Sequence, residues 1–208
     1  MPKQQQFLNQ SRLALNNSLT TPALLTILQT YGYDDKAIKS GLVIHAQVET
    51  VTEARDAAYG VVRSTNRALQ QAKDTLLSMF QSHLNMARLA FTREDYADDL
   101  KITGRRKGAT ADWLAQAQKF YTHVPIEIME KYHVPKKELD EAKKLTVKVL
   151  DLLALQQKAK SQAQQLTQDR KAAYEALHAW MKKFIGIARV VFADQPQQLE
   201  ALGLVVKA

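Results

Sequence analysis

A chain of 208 residues, 46% hydrophobic and 24% charged, has the composition of a globular protein that buries a core, not of a disordered one. It contains no cysteine, which excludes disulfides, thiol catalysis and cysteine-ligated metal. The formal charge of +8 is even along the chain: residues 1–107 carry 14 basic and 10 acidic side chains, residues 108–208 carry 15 and 11, so each half is +4.

Glycine and proline are scarce, at seven and five, while Ala, Leu, Gln and Lys abound. Those side chains lose little rotamer freedom in a helix, which favours an all-α fold. The opening MPKQQQFLNQ has no apolar core of a secretory signal, and FIGIARVVFA (184–193) is too short to span a bilayer. The expectation is a cytoplasmic protein without membrane insertion.

Two short helices are predicted first, over Phe7–Asn17 and Pro22–Thr30. The corner Tyr-Gly-Tyr-Asp-Asp follows, with Gly32 suited to ending one helix and Asp34 to capping the next. A long helix is then predicted over residues 35–91. Its seven-residue series runs Gly41, Val48, Arg55, Val62, Leu69, Leu76, His83 and Ala90, with Ile44, Val51, Ala58, Thr65, Ala72, Met79 and Met86 between. Arg55, Thr65 and His83 interrupt it, and His83 reads as a packed core histidine. His45, Glu49 and Glu53 share one helical face and could geometrically hold a divalent cation, although solvated or packing roles account for them as well.

Beyond this helix, REDYADD (93–99) gathers carboxylates without the spacing of a calcium loop. KITGRRKG supplies the one dense basic cluster, Lys101, Arg105, Arg106 and Lys107. It reads as a solvated connector, with nucleic-acid contact possible but not favoured.

Short helices return at Trp113–Thr122 and Pro125–Tyr132, and HVPIEIMEKYHVP (123–135) places Glu127, Glu130 and His133 at helical spacings. A shift of 101 residues decides how to read it. That shift pairs Leu13 with Leu114, Ile27 with Ile128, Tyr31 with Tyr132, Ala72 with Ala173, Leu76 with Leu177, Arg88 with Arg189 and Phe91 with Phe192, without a gap. A two-residue shortening then aligns Leu100 with Leu199 and Gly104 with Gly203. The positions matching Glu127, Glu130 and His133 are Thr26, Gln29 and Gly32, so the candidate ligands have no counterparts. A corner between helices fits both copies, with Pro135 in the first turn of the next helix.

The second long helix is predicted over residues 136–192. Thirteen of its fifteen seam positions are apolar, the exceptions being Gln156 and Arg170. Apolar residues also appear beside the seam toward the helix end, at Met181, Ile185, Ala188 and Phe192, which calls for covering helices there. About 55 residues per long helix correspond to roughly 80–85 Å.

The expected fold is therefore all-α: an elongated antiparallel coiled coil of two long helices, with short helices forming bundles at the ends. Its two copies, 1–107 and 108–208, are expected to pack as one structural unit. A compact four-helix bundle, folded back near Gly60 and Ser161, is the alternative. No phosphate loop, nucleotide fingerprint or His-Glu-x-x-His is present. The functional expectation is a non-enzymatic scaffold or adaptor that binds another protein or a second copy, with no cofactor and no metal. A nucleic-acid-binding protein using the basic cluster with Lys136, Lys137, Lys143, Lys144 and Lys148 is the alternative, and a metal-binding bundle enzyme the second alternative. The candidate interaction residues are Arg88, Arg189, Lys101, Arg105, Arg106 and Lys107.

Overall fold

The computed structural model describes residues 3–91, 100, 102 and 110–204. Among these there is no strand, and the fold is an all-α bundle. The helices are α1 (Lys3–Thr20), α2 (Pro22–Gln29), α3 (Asp35–Ala90), α4 (Thr110–His123), α5 (Ile126–Lys131), α6 (Lys136–Val191) and α7 (Pro196–Ala201). The two long helices, α3 and α6, are 56 residues each and start 101 positions apart. Helical structure runs unbroken through Gly60 and Ser161, so neither long helix folds back there.

Contacts divide the chain into two compact units, Met1–Tyr59 with Gln162–Ala208, and Gly60–Ser161. In the first unit, α3 and α6 run antiparallel: Gly41 lies against Trp180, Thr52 is bonded to Arg170, and Tyr59 to Thr167. Helices α1 and α2 close the core around Leu15, Leu24, Leu28, Ile38, Leu177 and Phe184. Helix α7 docks on the same unit, because Asn17 Nδ2 donates to the Ala201 carbonyl at 2.6 Å and Leu202 is fully buried.

In the second unit the antiparallel run is marked by Asn66 bonded to Gln156 and His83 bonded to Glu138. Its core gathers Leu76, Phe80, Leu84, Trp113, Phe120, Met129 and Leu139. Edge-to-face packing of Phe80 on Phe120 and Tyr121 fixes α4 against α3.

Polar residues on the seam find partners or are enclosed. Arg170 donates to Thr52 and Gln4 and lies 4.7 Å from the Tyr174 ring centroid. Arg55 pairs with Asp56 and faces Tyr59. Thr65 is buried.

The two corners are built alike. After α2, Gly32 takes φ +86°, its N–H donates to the Gln29 carbonyl, and the Tyr33 N–H donates to Leu28. After α5, His133 takes φ +61°, donates to Glu130, and Val134 donates to Met129. Both are Schellman endings, with the left-handed residue at the same place. Asp34 Oδ1 accepts the Ala37 N–H at 2.8 Å and caps α3 as expected. Pro135 departs from expectation by one position: it precedes α6, and its carbonyl accepts the Glu138 and Leu139 N–H groups. With no N–H of its own, it suits that boundary equally well.

His133 holds a conformation that L side chains enter at a cost of about 1–2 kcal/mol. His133→Gly is expected to stabilise the protein by about 1 kcal/mol in urea unfolding, and Gly32→Ala to destabilise it by a similar amount. A second pair of variants separates glycines that packing requires from one that it does not. A Cβ on Gly41 would lie 2.7 Å from Trp180 and 2.9 Å from Leu15, whereas on Gly60 it would meet only Arg63 at 3.9 Å. Gly60→Ala is expected to gain about 0.5–1 kcal/mol from helix propensity. Gly41→Ala is expected to lose stability, because crowding a packed core costs about 1–3 kcal/mol.

Candidate functional sites

Arg88 and Arg189 share the pattern Ala-Arg-x-x-Phe and have different surroundings. Arg88 Nε donates to the Ile102 carbonyl at 2.7 Å, tying the chain beyond α3 to that helix. The residue aligned with Ile102 after the two-residue shortening is Ala201, whose carbonyl is taken by Asn17. With that role filled from α1, Arg189 stays exposed and lines a cavity with Phe7, His178, Met181, Lys182, Ile185 and Gly186. Lys101, Arg105, Arg106 and Lys107 lie outside the described residues, as does the acidic segment 93–99. Lys136, Lys137, Lys143, Lys144 and Lys148 are exposed on α6, but Asp140, Glu141 and Asp151 are interspersed among them, so no purely basic stripe forms.

The histidine-carboxylate pairs resolve differently. His45 is buried and its Nε2–H donates to the Leu8 carbonyl at 3.0 Å, while Nδ1 faces Glu49 at 3.6 Å. Glu49 also stands 3.7 Å from Arg12, and Glu53 is exposed. His45 thus joins α1 to α3. Glu130 Oε1 accepts the Lys136 N–H at 3.4 Å across the corner that His133 turns. No group of three or more metal-ligating side chains comes together among the described residues.

His83 has the most developed polar surroundings in the second unit. It is 1% exposed, with Nε2 2.9 Å from Glu138 Oε1 and Nδ1 3.0 Å from the Tyr121 hydroxyl. A carboxylate oxygen accepts, so Nε2–H donates to Glu138, and in that tautomer Nδ1 is the acceptor for the Tyr121 O–H. Burial first, and the Glu138 charge second, raise the Tyr121 hydroxyl above the ordinary phenol range. The phenol therefore keeps its proton and remains a donor. A carboxylate, an imidazole and a phenol in series resemble a proton relay, but the imidazole and phenol are enclosed by core residues and only Glu138 is partly open. The arrangement pins α3, α4 and α6 to one another.

Two openings lie in the first unit beside the last turns of α6. One groove of about 770 Å³ is lined by Tyr31, Tyr33, Ala179, Lys182, Lys183, Gly186, Ile187 and Val190. The Arg189 cavity, about 370 Å³, shares Lys182 and Gly186 with it. Val190 is 74% exposed and Tyr31 54%. In the second unit the residues 101 positions earlier or later, Leu89 at 73% and Tyr132, are exposed as well. The expected interaction residues included Arg189 from this region but missed the apolar ones. The available signal was apolar Leu89 and Val190 at matched positions outside the seam, together with a stretch of α6, residues 176–191, that lacks any carboxylate.

Comparison of the chain with protein-family models, with curated proteins and with solved structures gives no match.

The relay geometry makes Tyr121 testable by pH. Its folded-state pKa lies above the unfolded value, so its contribution is fully present below the unfolded pKa of about 10 and declines as pH rises beyond it. Tyr121→Phe leaves His83 Nδ1 without its donor and is expected to cost about 1–3 kcal/mol at neutral pH. The alkaline decline in urea stability should be shallower in this variant than in the parent. Tyr33, also raised by burial, is present in both proteins and cancels in the comparison.

Proposed function

We propose that the protein is a non-enzymatic helical scaffold or adaptor that works by binding another protein. One observation carries the reading. Leu89 and Val190, in the last turns of the two long helices, are 73% and 74% exposed although the seams of both helices are already packed. Large apolar side chains held in the open at matched positions, with Tyr31 and Val190 lining one groove, are the signature of an interaction surface. The polar constellations support the same reading, because His83 with Tyr121 and Glu138, and His45 with the Leu8 carbonyl, tie helices together. No helix among the described residues is long and apolar enough to cross a membrane.

Immobilised full-length protein is expected to retain specific polypeptides from the native cell. Leu89→Asp with Val190→Asp should weaken that retention by at least about tenfold, the effect of about 1.4 kcal/mol, without changing helicity. Retention of the same polypeptides by both proteins, or of none by the parent, defeats the proposal.

A further inference from the structure

We infer that the groove over Gly186 receives an acidic amphipathic helix of a partner protein. This rests on the interaction reading above and deepens it. A glycine inside a helix is less favourable than alanine by about 0.5–1 kcal/mol. At Gly41 the close approach of Trp180 and Leu15 accounts for that cost. At Gly186 a Cβ would meet nothing within 4 Å, so the fold of the chain does not require a bare backbone there. The open space belongs instead to the two concavities that share this residue. Tyr31, Ile187 and Val190 supply apolar walls on one side, and Phe7, His178 and Ile185 on the other.

Charge selects the occupant. Lys182 lines both concavities, Lys183 lines one and Arg189 the other, and neither has a carboxylate in its lining. An apolar floor between cations complements a helix with an apolar stripe bordered by Glu or Asp, laid beside α6 where the missing side chain admits close approach. A second copy of this chain, at +8, brings like charge. A bilayer is best met by protruding apolar side chains, whereas part of this surface is recessed. The second unit supplies an internal comparison. At positions 81, 82 and 85, which lie 101 residues before Lys182, Lys183 and Gly186, it carries Gln81, Ser82 and Asn85, while the apolar Leu89 is retained. The two lysines and the glycine are thus features of one face and not of the helical repeat, whereas Arg189 has a counterpart in Arg88.

The test uses the full chain and a fluorescent designed peptide of about 18 residues, five helical turns, with Leu and Phe on one face and Glu on the other. A counterpart with Lys for Glu is the control. Anisotropy is expected to show the Glu peptide binding at least about tenfold more tightly than the Lys peptide. Binding should weaken as salt rises from about 50 to about 300 mM. Gly186→Leu, which fills the groove from an open position, and Lys182→Glu with Lys183→Glu should each lower affinity by about tenfold or more. Asn85→Leu in the second unit should leave it unchanged, with helicity preserved in every variant.

Equal affinity for the two peptides, or indifference to Gly186→Leu, overturns the inference. So does competition by vesicles of anionic phospholipid that depends on Gly186, which assigns the groove to a membrane surface. A self-associated parent that Gly186→Leu converts to monomer overturns it too, because the occupant is then a second copy. If partner retention is lost in Leu89→Asp alone while the peptide fails to bind, the interaction reading stands and this assignment falls.

Discussion

The antiparallel packing of α3 on α6 within each unit is the constraint on which the other elements depend. A helix of 56 residues is not held by propensity alone; it persists because an apolar stripe is covered along its length. In the first unit the approach is close enough that Gly41 accepts the Trp180 ring and Leu15 together, and Trp180 in turn stacks on Phe184. That packing orients the remaining face of α6 outward with Lys182, Lys183, Gly186 and Val190. The groove is therefore a consequence of how the seam is closed. In the second unit the same role falls to His83, whose two ring nitrogens hold α4 and α6 at fixed distances from α3.

The long helices were legible because their hydrophobic period repeats many times, and they end within one residue of the expected limits. The corner at Gly32 was legible from residue type, since glycine enters the left-handed region without steric cost. The corner at His133 was legible less directly: histidine there also suggests a ligand, and it was the 101-residue offset from Gly32, with Pro135 following, that pointed to a turn. The short helices were read less well. Helix α1 begins at Lys3, ahead of the expected Phe7, because the glutamines before Phe7 are helix formers without an apolar pattern. Helix α7 was not anticipated; six residues give too little periodicity, and Pro196 at its start was the one local sign.

The site was less legible than the fold for a physical reason. Helical periodicity reports which positions are buried, but a polar partner 38 or 55 residues away leaves no periodic trace. Tyr121 and Glu138 could not be assigned to His83 from their spacing. Arg88 and Arg189 show the converse. A shared Ala-Arg-x-x-Phe pattern suggested a shared role, yet a carbonyl needs only one good donor, and Asn17 from α1 takes the carbonyl of Ala201. Matched residues thus became free to differ in use.

That freedom bears on how a repeated helical architecture acquires a specific surface. Seam positions in the two long helices are held to apolar residues by burial, and the corner positions by backbone conformation. The outward positions near the helix ends are held by neither. There the apolar character of Leu89 and Val190, each preceded by an arginine, is common to both units, while two lysines and a bare backbone are found near Val190 alone. A single exposed apolar side chain is ordinary on a protein surface, as Val43 at 69% shows, so it is the matched placement of these two and the groove beside Val190 that the proposed reading uses. A cationic border suits the C-terminal end of a helix dipole, and on the proposed reading it also discriminates among partners by charge. On the proposed reading, affinity for proteins in general and selectivity for acidic ones are carried by different residues around adjoining openings, the first by Tyr31 and Val190, the second by Lys182, Lys183 and Arg189.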